Sequence, residues 1–132
     1  MNRRDLLVLS GAALLVTGRA RANRIDYTPG LVSQRLAAGE TVLLDFFAEW
    51  CSTCHVQERR MDELRDENPA YDAAMTFIRV DWDTYGRGDL AQSLHIPRRS
   101  TLVLLRGDAE LGRIDAGTRR RDIRALMDLG LG

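Results

Sequence analysis

Between Thr41 and Phe47 the chain reads Thr-Val-Leu-Leu-Asp-Phe-Phe, an apolar run broken by one acid. Its length and its β-branched and aromatic members predict a buried strand. Met75-Thr76-Phe77-Ile78-Arg79-Val80-Asp81 predicts a second, again with one odd charge inside it, Arg79. Thr101 to Arg106 and Glu110 to Asp115 flank Gly107-Asp108-Ala109 and read as a hairpin. From Cys51 to about Asp66 there is neither Pro nor Gly, and Cys54, Glu58, Met61 and Leu64 recur at helical spacing. The charges Glu58, Arg59, Arg60, Asp62, Glu63 and Arg65 suit a largely solvated helix, which Asn68-Pro69 ends. An earlier helix is expected with Thr28 as N-cap, Pro29 at its first position, an end near Ala38 and Gly39 as its stop. Asp89 to Leu94 makes a short helix. Thr118 caps a last amphipathic one, with Ile123, Leu126, Met127 and Leu129 toward the core. The order α-β-α-β-α-β-β-α implies an α/β fold, a central mixed sheet with helices on both faces.

With 132 residues the natural reading is one domain, and no repeat, low-complexity tract or linker divides it. The 19 basic residues, all Arg, balance 19 acidic ones, and aromatics are only 6%, so neither a nucleic-acid charge signature nor a base-stacking surface is present. Two Cys cannot build a multi-bridge framework or, alone, a four-thiolate metal site. Function therefore turns on one local motif.

Residues 1–22 read as an export signal. Arg3 and Arg4 lead into an apolar stretch from Leu6 to Val16 that closes on Ala20-Arg21-Ala22, a small-x-small cleavage pattern. The stretch is well short of the ~20 residues a spanning helix needs, which makes a retained membrane anchor the weaker reading. The paired arginines and the Gly- and Ala-softened core resemble a twin-arginine signal, although Asn2, Asp5 and Leu6 depart from its usual residues. A general secretory signal is the alternative. Either route implies a bacterial periplasm or cell surface, where disulfide chemistry is permitted. Cleavage after Ala22 leaves a mildly acidic domain at 23–132.

Cys51-Ser52-Thr53-Cys54 follows the first predicted strand and opens the long helix. Residues at i and i+3 of a helix lie about 5–6 Å apart at Cβ, slightly wide of the roughly 3.5–4.5 Å of a disulfide. A small adjustment of the first turn closes that gap. At the helix N-terminus, unpaired N–H groups and the helix dipole favour an anion, so Cys51 ionises more readily than a free thiol. Cys54 lies one turn in and is better shielded. This asymmetry suits exchange, with Cys51 attacking a partner disulfide and Cys54 resolving the mixed disulfide.

Leu44-Asp45-Phe46-Phe47-Ala48-Glu49-Trp50-Cys51-Ser52-Thr53-Cys54 resembles the active-site segment of the thioredoxin family, from buried strand to Trp-Cys-x-x-Cys. The likeness extends over most of residues 23–132, because Arg79-Val80-Asp81 and the Thr101-to-Ala116 hairpin fall where that family has its next strands. The chain is also similar to the C-terminal thiol domain of membrane-bound thiol:disulfide interchange proteins. The resemblance implies a thioredoxin-like fold and places Asp45 at the family's buried carboxylate position beneath the second thiol. Desolvation raises the pKa of such a carboxyl group, so it can take up the proton of Cys54 during resolution. An Asp hydrogen-bonded to backbone at a strand end is the plain structural alternative. Arg79 matches a family Lys near that carboxylate, or else is an arginine snorkelling from the sheet. Trp50 shields the thiols and shapes the partner surface, a part that simple packing also explains.

The family carries a cis-Pro facing the thiols just before its fourth strand. Here Thr101 begins the comparable strand, which puts Ser100 at that position; the competing register uses Ile96-Pro97 and leaves three extra residues before Leu102. A cis bond before a non-proline costs roughly 2.5–4 kcal/mol, so Arg99–Ser100 is expected to be trans. Its hydroxyl would then lie near Cys51, with Arg98 and Arg99 on the same loop favouring the thiolate. Ser52-Thr53 is neutral and does not fix the reduction potential or the direction of electron flow.

Cys51-Ser52-Thr53-Cys54-His55 also spells the C-x-x-C-H pattern of c-type haem attachment. Two thiolates with His55 or His95 offer a copper or zinc site as a further non-enzymatic alternative. Against haem stands the setting of the motif, which follows a buried strand and opens a charged helix. His55 reads as a surface helix residue, His95 as a helix-end residue, and Met61, Met75 and Met127 as core. The sequence is thus read as a periplasmic, monomeric thiol:disulfide oxidoreductase acting on protein thiols and disulfides, with Cys51, Cys54 and Asp45 catalytic. Trp50, Arg79, Arg99 and Ser100 tune the site or bind substrate. The dithiol needs no cofactor, and a reductant role requires a membrane thiol donor.

Overall fold

The computed structural model describes residues 24–132, so the signal-like segment at 1–22 lies outside the described residues. Five strands form one mixed sheet in the order β1-β3-β2-β4-β5: β1 (Arg24–Asp26), β2 (Thr41–Phe47), β3 (Met75–Asp81), β4 (Thr101–Arg106) and β5 (Ala109–Asp115). β1 and β2 run parallel to β3, whereas β4 is antiparallel to both β2 and β5. The helices are α1 (Leu31–Ala37), α2 (Ser52–Glu67), α3 (Ala70–Ala74), α4 (Trp82–Tyr85), α5 (Asp89–Ser93) and α6 (Arg120–Leu129). None of the described helices is long and apolar enough to cross a membrane.

β2 is central, and all seven of its residues are buried. Alternation along the pleat splits the apolar strands between two cores. Leu43, Phe77, Leu102 and Leu104 face Met61 and Leu64 of α2 and Ile123, Leu126 and Met127 of α6. Val42, Leu44, Phe46, Ile78, Val80 and Val103 face Val32 of α1 and Ala91 of α5. Both faces are covered, the reason β2 and β4 read as continuous apolar runs. α6 packs close over the edge strand: a side chain at Gly112 would meet Leu126 at 2.9 Å. Met61, Met75 and Met127 are all buried in the α2–α6 core.

Several expected details differ. Three short elements, β1, α3 and α4, join the eight that the pattern predicts. Pro69 does end α2, but it also starts α3, with Asn68 Oδ1 accepting from the Ala70 amide at 3.1 Å. Asp81 starts α4 in the same way, accepting from the Thr84 amide at 3.0 Å. Thr28 and Pro29 form a turn instead of a helix start, closed by the Leu31 amide on the Thr28 carbonyl at 3.0 Å. Gly30, at φ 90°, is the N-cap of α1, and that left-handed value is one glycine adopts without a Cβ clash. Thr118 is not a cap either. The chain leaves the sheet through Ala116 at φ 65°, and Arg119 becomes the N-cap of α6 without a side-chain bond. Leu129 is 49% exposed, at the rim where β5 ends the sheet. Nor is α2 largely solvated: Gln57, Asp62 and Arg65 are buried along with its apolar positions. Arg65 is accommodated because its guanidinium stacks 4.0 Å from the Phe77 ring centroid and its Nε donates to Asp72 at 2.6 Å.

Candidate active site

The strand-to-helix junction places the dithiol. Beyond β2, Ala48 accepts the Cys51 amide at 3.0 Å, a turn that brings Cys51 to the N-cap of α2. There its sulfur accepts the backbone N–H of Cys54 at 3.2 Å, one of the helix's otherwise unpaired donors. Both cysteines are free thiols and both are buried. A thiolate at Cys51 therefore sits on the positive end of a 16-residue helix.

Ser100 is brought against both sulfurs. Its Oγ lies 3.2 Å from Cys51 Sγ and 3.2 Å from Cys54 Sγ. No peptide bond among the described residues is cis, so Arg99–Ser100 is trans, and Ser100 reaches the thiols with φ 66°. A non-glycine residue in that region is strained by roughly 1–2 kcal/mol and is held by its surroundings. The Ser100 amide donates to the Phe46 carbonyl at 2.7 Å, and its own carbonyl accepts from the Ala116 amide at 2.8 Å. A third bond comes from Gln57 Nε2, which donates at 2.9 Å to the Ser100 carbonyl and at 2.9 Å to that of Gly117. Gln57, fully buried on α2 one turn beyond Cys54, thus pins two loops beneath the dithiol. Sequence reasoning missed it, although a glutamine three residues after the second Cys on the inward face was the available signal.

These contacts divide the two thiols. Burial raises the Cys51 pKa, but hydrogen bonds from Cys54, Ser100, the Cys54 backbone and the Arg99 side chain outweigh it and bring it down to about 7. Burial raises the Cys54 pKa too, and its shared hydrogen bond with Cys51 raises it further. Arg99 spans the site's outer side, its guanidinium 4.6 Å from the Trp50 ring centroid. Trp50 is 61% exposed and is fixed by its indole N–H, which donates to Asp83 Oδ1 at 3.0 Å. It offers a flat apolar face beside the thiols more than it covers them. Arg98, on the same loop, donates from Nε to the Arg99 carbonyl at 3.2 Å.

Asp45 is buried on the α2-facing side of β2, and neither carboxyl oxygen has a hydrogen-bond partner. Desolvation pushes its pKa up to about 8; the charge of Glu58 adds to the rise, and Arg79 and Arg24 oppose it. It borders a cavity of about 10 Å³ shared with Glu58, Asp62, Arg24, Arg65 and Arg79, about the least space that holds one water. Arg79 is its register partner on β3. The Arg79 guanidinium binds Glu58, lies 3.6 Å from Glu49 and stacks 3.9 Å from the Phe47 ring centroid. Arg24 reaches Glu58 from β1 at 3.1 Å. Glu58 is the second residue the sequence reading did not single out as part of the site. It belongs to a charged cluster behind the dithiol that only the pairing of β1, β2 and β3 assembles.

His55 is half exposed, and its Nε2 donates to the Glu49 carbonyl at 2.8 Å while the ring packs edge-on to Phe47. The backbone thus takes up the nitrogen that a haem or metal site at this motif would use. Among the described residues no three His, Cys, Asp or Glu side chains group as metal ligands. His95 stands at the end of α5 with φ 53°.

A Cys-x-x-Cys dithiol at the N-terminus of a helix that leaves the central strand of a five-stranded mixed sheet defines a domain of the thioredoxin fold class. The comparisons agree. The Thioredoxin family model matches residues 29–129, and the chain belongs to the thioredoxin family. It is 31% identical over 85 residues to mitochondrial thioredoxin-2 of Schizosaccharomyces pombe, covering 64% of this chain and 59% of that protein. To thioredoxin 2 of Plasmodium falciparum it is 30% identical over 86 residues, 65% of this chain and 52% of that one. The matched region thus spans little more than half of these relatives. Among solved structures, Trxlp from Edwardsiella tarda superposes with a TM-score of 0.66 at 30% identity, over 80% of this chain and 95% of that one. The Malassezia sympodialis thioredoxin Mala s 13 superposes at 0.70 and 21% identity, over 83% and 94%, a likeness of fold.

Proposed function

We propose that this chain is a thiol:disulfide oxidoreductase that reduces disulfides of protein clients in a bacterial periplasm, as a monomer recharged by a membrane thiol donor. The observation that carries the reading is the setting of the dithiol: Cys51 Sγ accepts the Cys54 amide at the N-terminus of α2 and lies against Ser100 Oγ, contacts that lower its pKa to about 7, while Cys54 is buried one turn in and raised. Near neutral pH a thiolate of that basicity is both abundant and nucleophilic. Cys51 Sγ attacks a client disulfide, bonds to one client sulfur and releases the other with its electron pair. Cys54 Sγ then attacks Cys51 Sγ, and the second client sulfur departs. The client gains two electrons and the pair becomes the Cys51–Cys54 disulfide, which the donor reduces again. Asp45 serves as a buried proton store beside this centre. Trp50 and Arg99 supply a stacking face and a cation where a client strand approaches.

Export is supported by the Arg3-Arg4 pair, the apolar stretch and the Ala20-Arg21-Ala22 pattern. The reducing direction is supported by the buried Asp45 and by likeness to interchange-protein thiol domains. Acid quenching of cells followed by alkylation of the exported protein tests it. A mostly doubly alkylated chain is expected, since a reductant is held reduced by its donor. A pair found mostly oxidised overturns the reducing direction and makes the protein an oxidant or isomerase.

A further inference from the structure

The Cys54 thiol has a near neighbour on the loop before β4. Its sulfur lies 3.2 Å from Ser100 Oγ and 3.9 Å from the Phe46 carbonyl. Asp45, the acid on β2, has no hydrogen bond to it or to any other group. The same Oγ lies 3.2 Å from Cys51 Sγ, so one fully buried hydroxyl touches both reacting atoms. A hydroxyl accepts and donates at once, and backbone bonds at Ser100 N and O fix this one between the sulfurs. From this geometry we propose that Ser100 is a catalytic residue, its Oγ carrying the proton of Cys54 to the departing client sulfur during resolution.

The step rests on the exchange reading above. In the mixed disulfide, Cys51 Sγ is bonded to the client sulfur. Cys54 Sγ forms its bond to Cys51 Sγ as its proton passes to Ser100 Oγ. The bond from Cys51 to the client sulfur breaks, and that sulfur leaves with the electron pair. Ser100 gives its own hydroxyl proton to the leaving sulfur, a short reach because the client atom was bonded to a sulfur that Oγ already touches. Cys51 and Cys54 are oxidised to a disulfide, the client is reduced to its second thiol, and Ser100 ends as it began. The hydroxyl is never an alkoxide, since one proton arrives as the other leaves.

The test is a rapid-quench reaction of the reduced full chain with bis(2-hydroxyethyl) disulfide, in which intact-mass analysis follows the mixed disulfide. Ser100→Gly removes the hydroxyl at a position whose φ of 66° suits glycine, and Ser100→Ala removes it while keeping a Cβ. Circular dichroism confirms that each is folded. Both variants should accumulate the mixed disulfide and resolve it at least about a hundredfold more slowly, the low end of the roughly 10²–10⁴ that general acid–base catalysis contributes. Resolution in the wild type should slow in deuterium oxide with a curved dependence on deuterium fraction, as two protons move together, and that curvature should vanish in both variants. Resolution at the wild-type rate in either variant overturns the relay. So does a defect confined to the attack step, which would make Ser100 only a hydrogen-bond donor to the Cys51 thiolate. A wild-type chain that forms neither the mixed disulfide nor the internal Cys51–Cys54 disulfide would instead refute the exchange reading itself.

Discussion

Replacing Cys51 with serine is expected to abolish the proposed disulfide exchange, whereas Cys54→Ser is expected to leave attack intact and to hold clients as mixed disulfides. The two outcomes differ because the fold treats the sulfurs differently. Cys51 receives the Cys54 amide in the first turn of α2 and lies against the hydroxyl of Ser100, and its pKa falls to about 7. A serine there has no accessible anion near neutral pH and no bond to offer a disulfide, so the expected loss is total. Cys54 is buried one helical turn in, with a raised pKa, and its part begins only after a client is attached. Its loss stops the second displacement alone. Non-reducing electrophoresis of an oxidised client mixture checks both: discrete adducts with Cys54→Ser and none with Cys51→Ser. Equal exchange activity in either variant and the wild type would remove the dithiol mechanism.

The second large effect concerns stability. Asp45 holds its proton up to about pH 8 in the folded chain, whereas an unfolded aspartate loses it near ~4. Below that lower value both states are protonated, and the contribution to stability is fully present. As pH rises through the window the unfolded state releases its proton and the folded state does not, so folding weakens by ~1.4 kcal/mol per pH step until the folded group also ionises. The loss levels off above pH 8. Asp45→Asn keeps the shape, removes the titration, and leaves a buried amide whose missing hydrogen bonds cost ~1–3 kcal/mol. The variant should therefore be more stable than the wild type by about 2–4 kcal/mol at pH 8 and less stable by about 1–3 kcal/mol near pH 4, where only the amide's cost remains. Urea unfolding of both proteins in the reduced state at the two pH values measures this. Equal stability at pH 8 would mean that Asp45 ionises freely, paired with its register neighbour Arg79.

The same two residues show what a sequence does and does not disclose. Asp45 and Arg79 stand out because a charge inside an apolar run breaks the period, and both lie on the α2-facing side of adjacent strands. The dithiol was legible for a different reason, since its spacing and its position between strand and helix are local. Glu58 and Gln57 were only half legible: helical spacing with Cys54, Met61 and Leu64 marks the inward face of α2, but their partners Arg79, Arg24, Ser100 and Gly117 come from other parts of the chain. Arg65 misled for the same reason, its burial depending on Phe77 and Asp72 from other elements. Three-residue β1 and four-residue α4 are too short to express a period. Register alone argued that Ser100 precedes the strand beginning at Thr101; its left-handed backbone and its contact with both sulfurs required the fold.

The central claim is that Cys51 and Cys54 act together as one two-electron centre. Equilibration of the full chain across glutathione redox buffers, followed by acid quenching, alkylation and intact-mass analysis, tests it most directly. The account predicts that the doubly alkylated chain gives way to the unalkylated chain in one transition, with an internal Cys51–Cys54 disulfide identified by peptide mapping. Persistence of two reactive thiols, or of separate glutathione adducts on each cysteine under oxidising conditions, would contradict it.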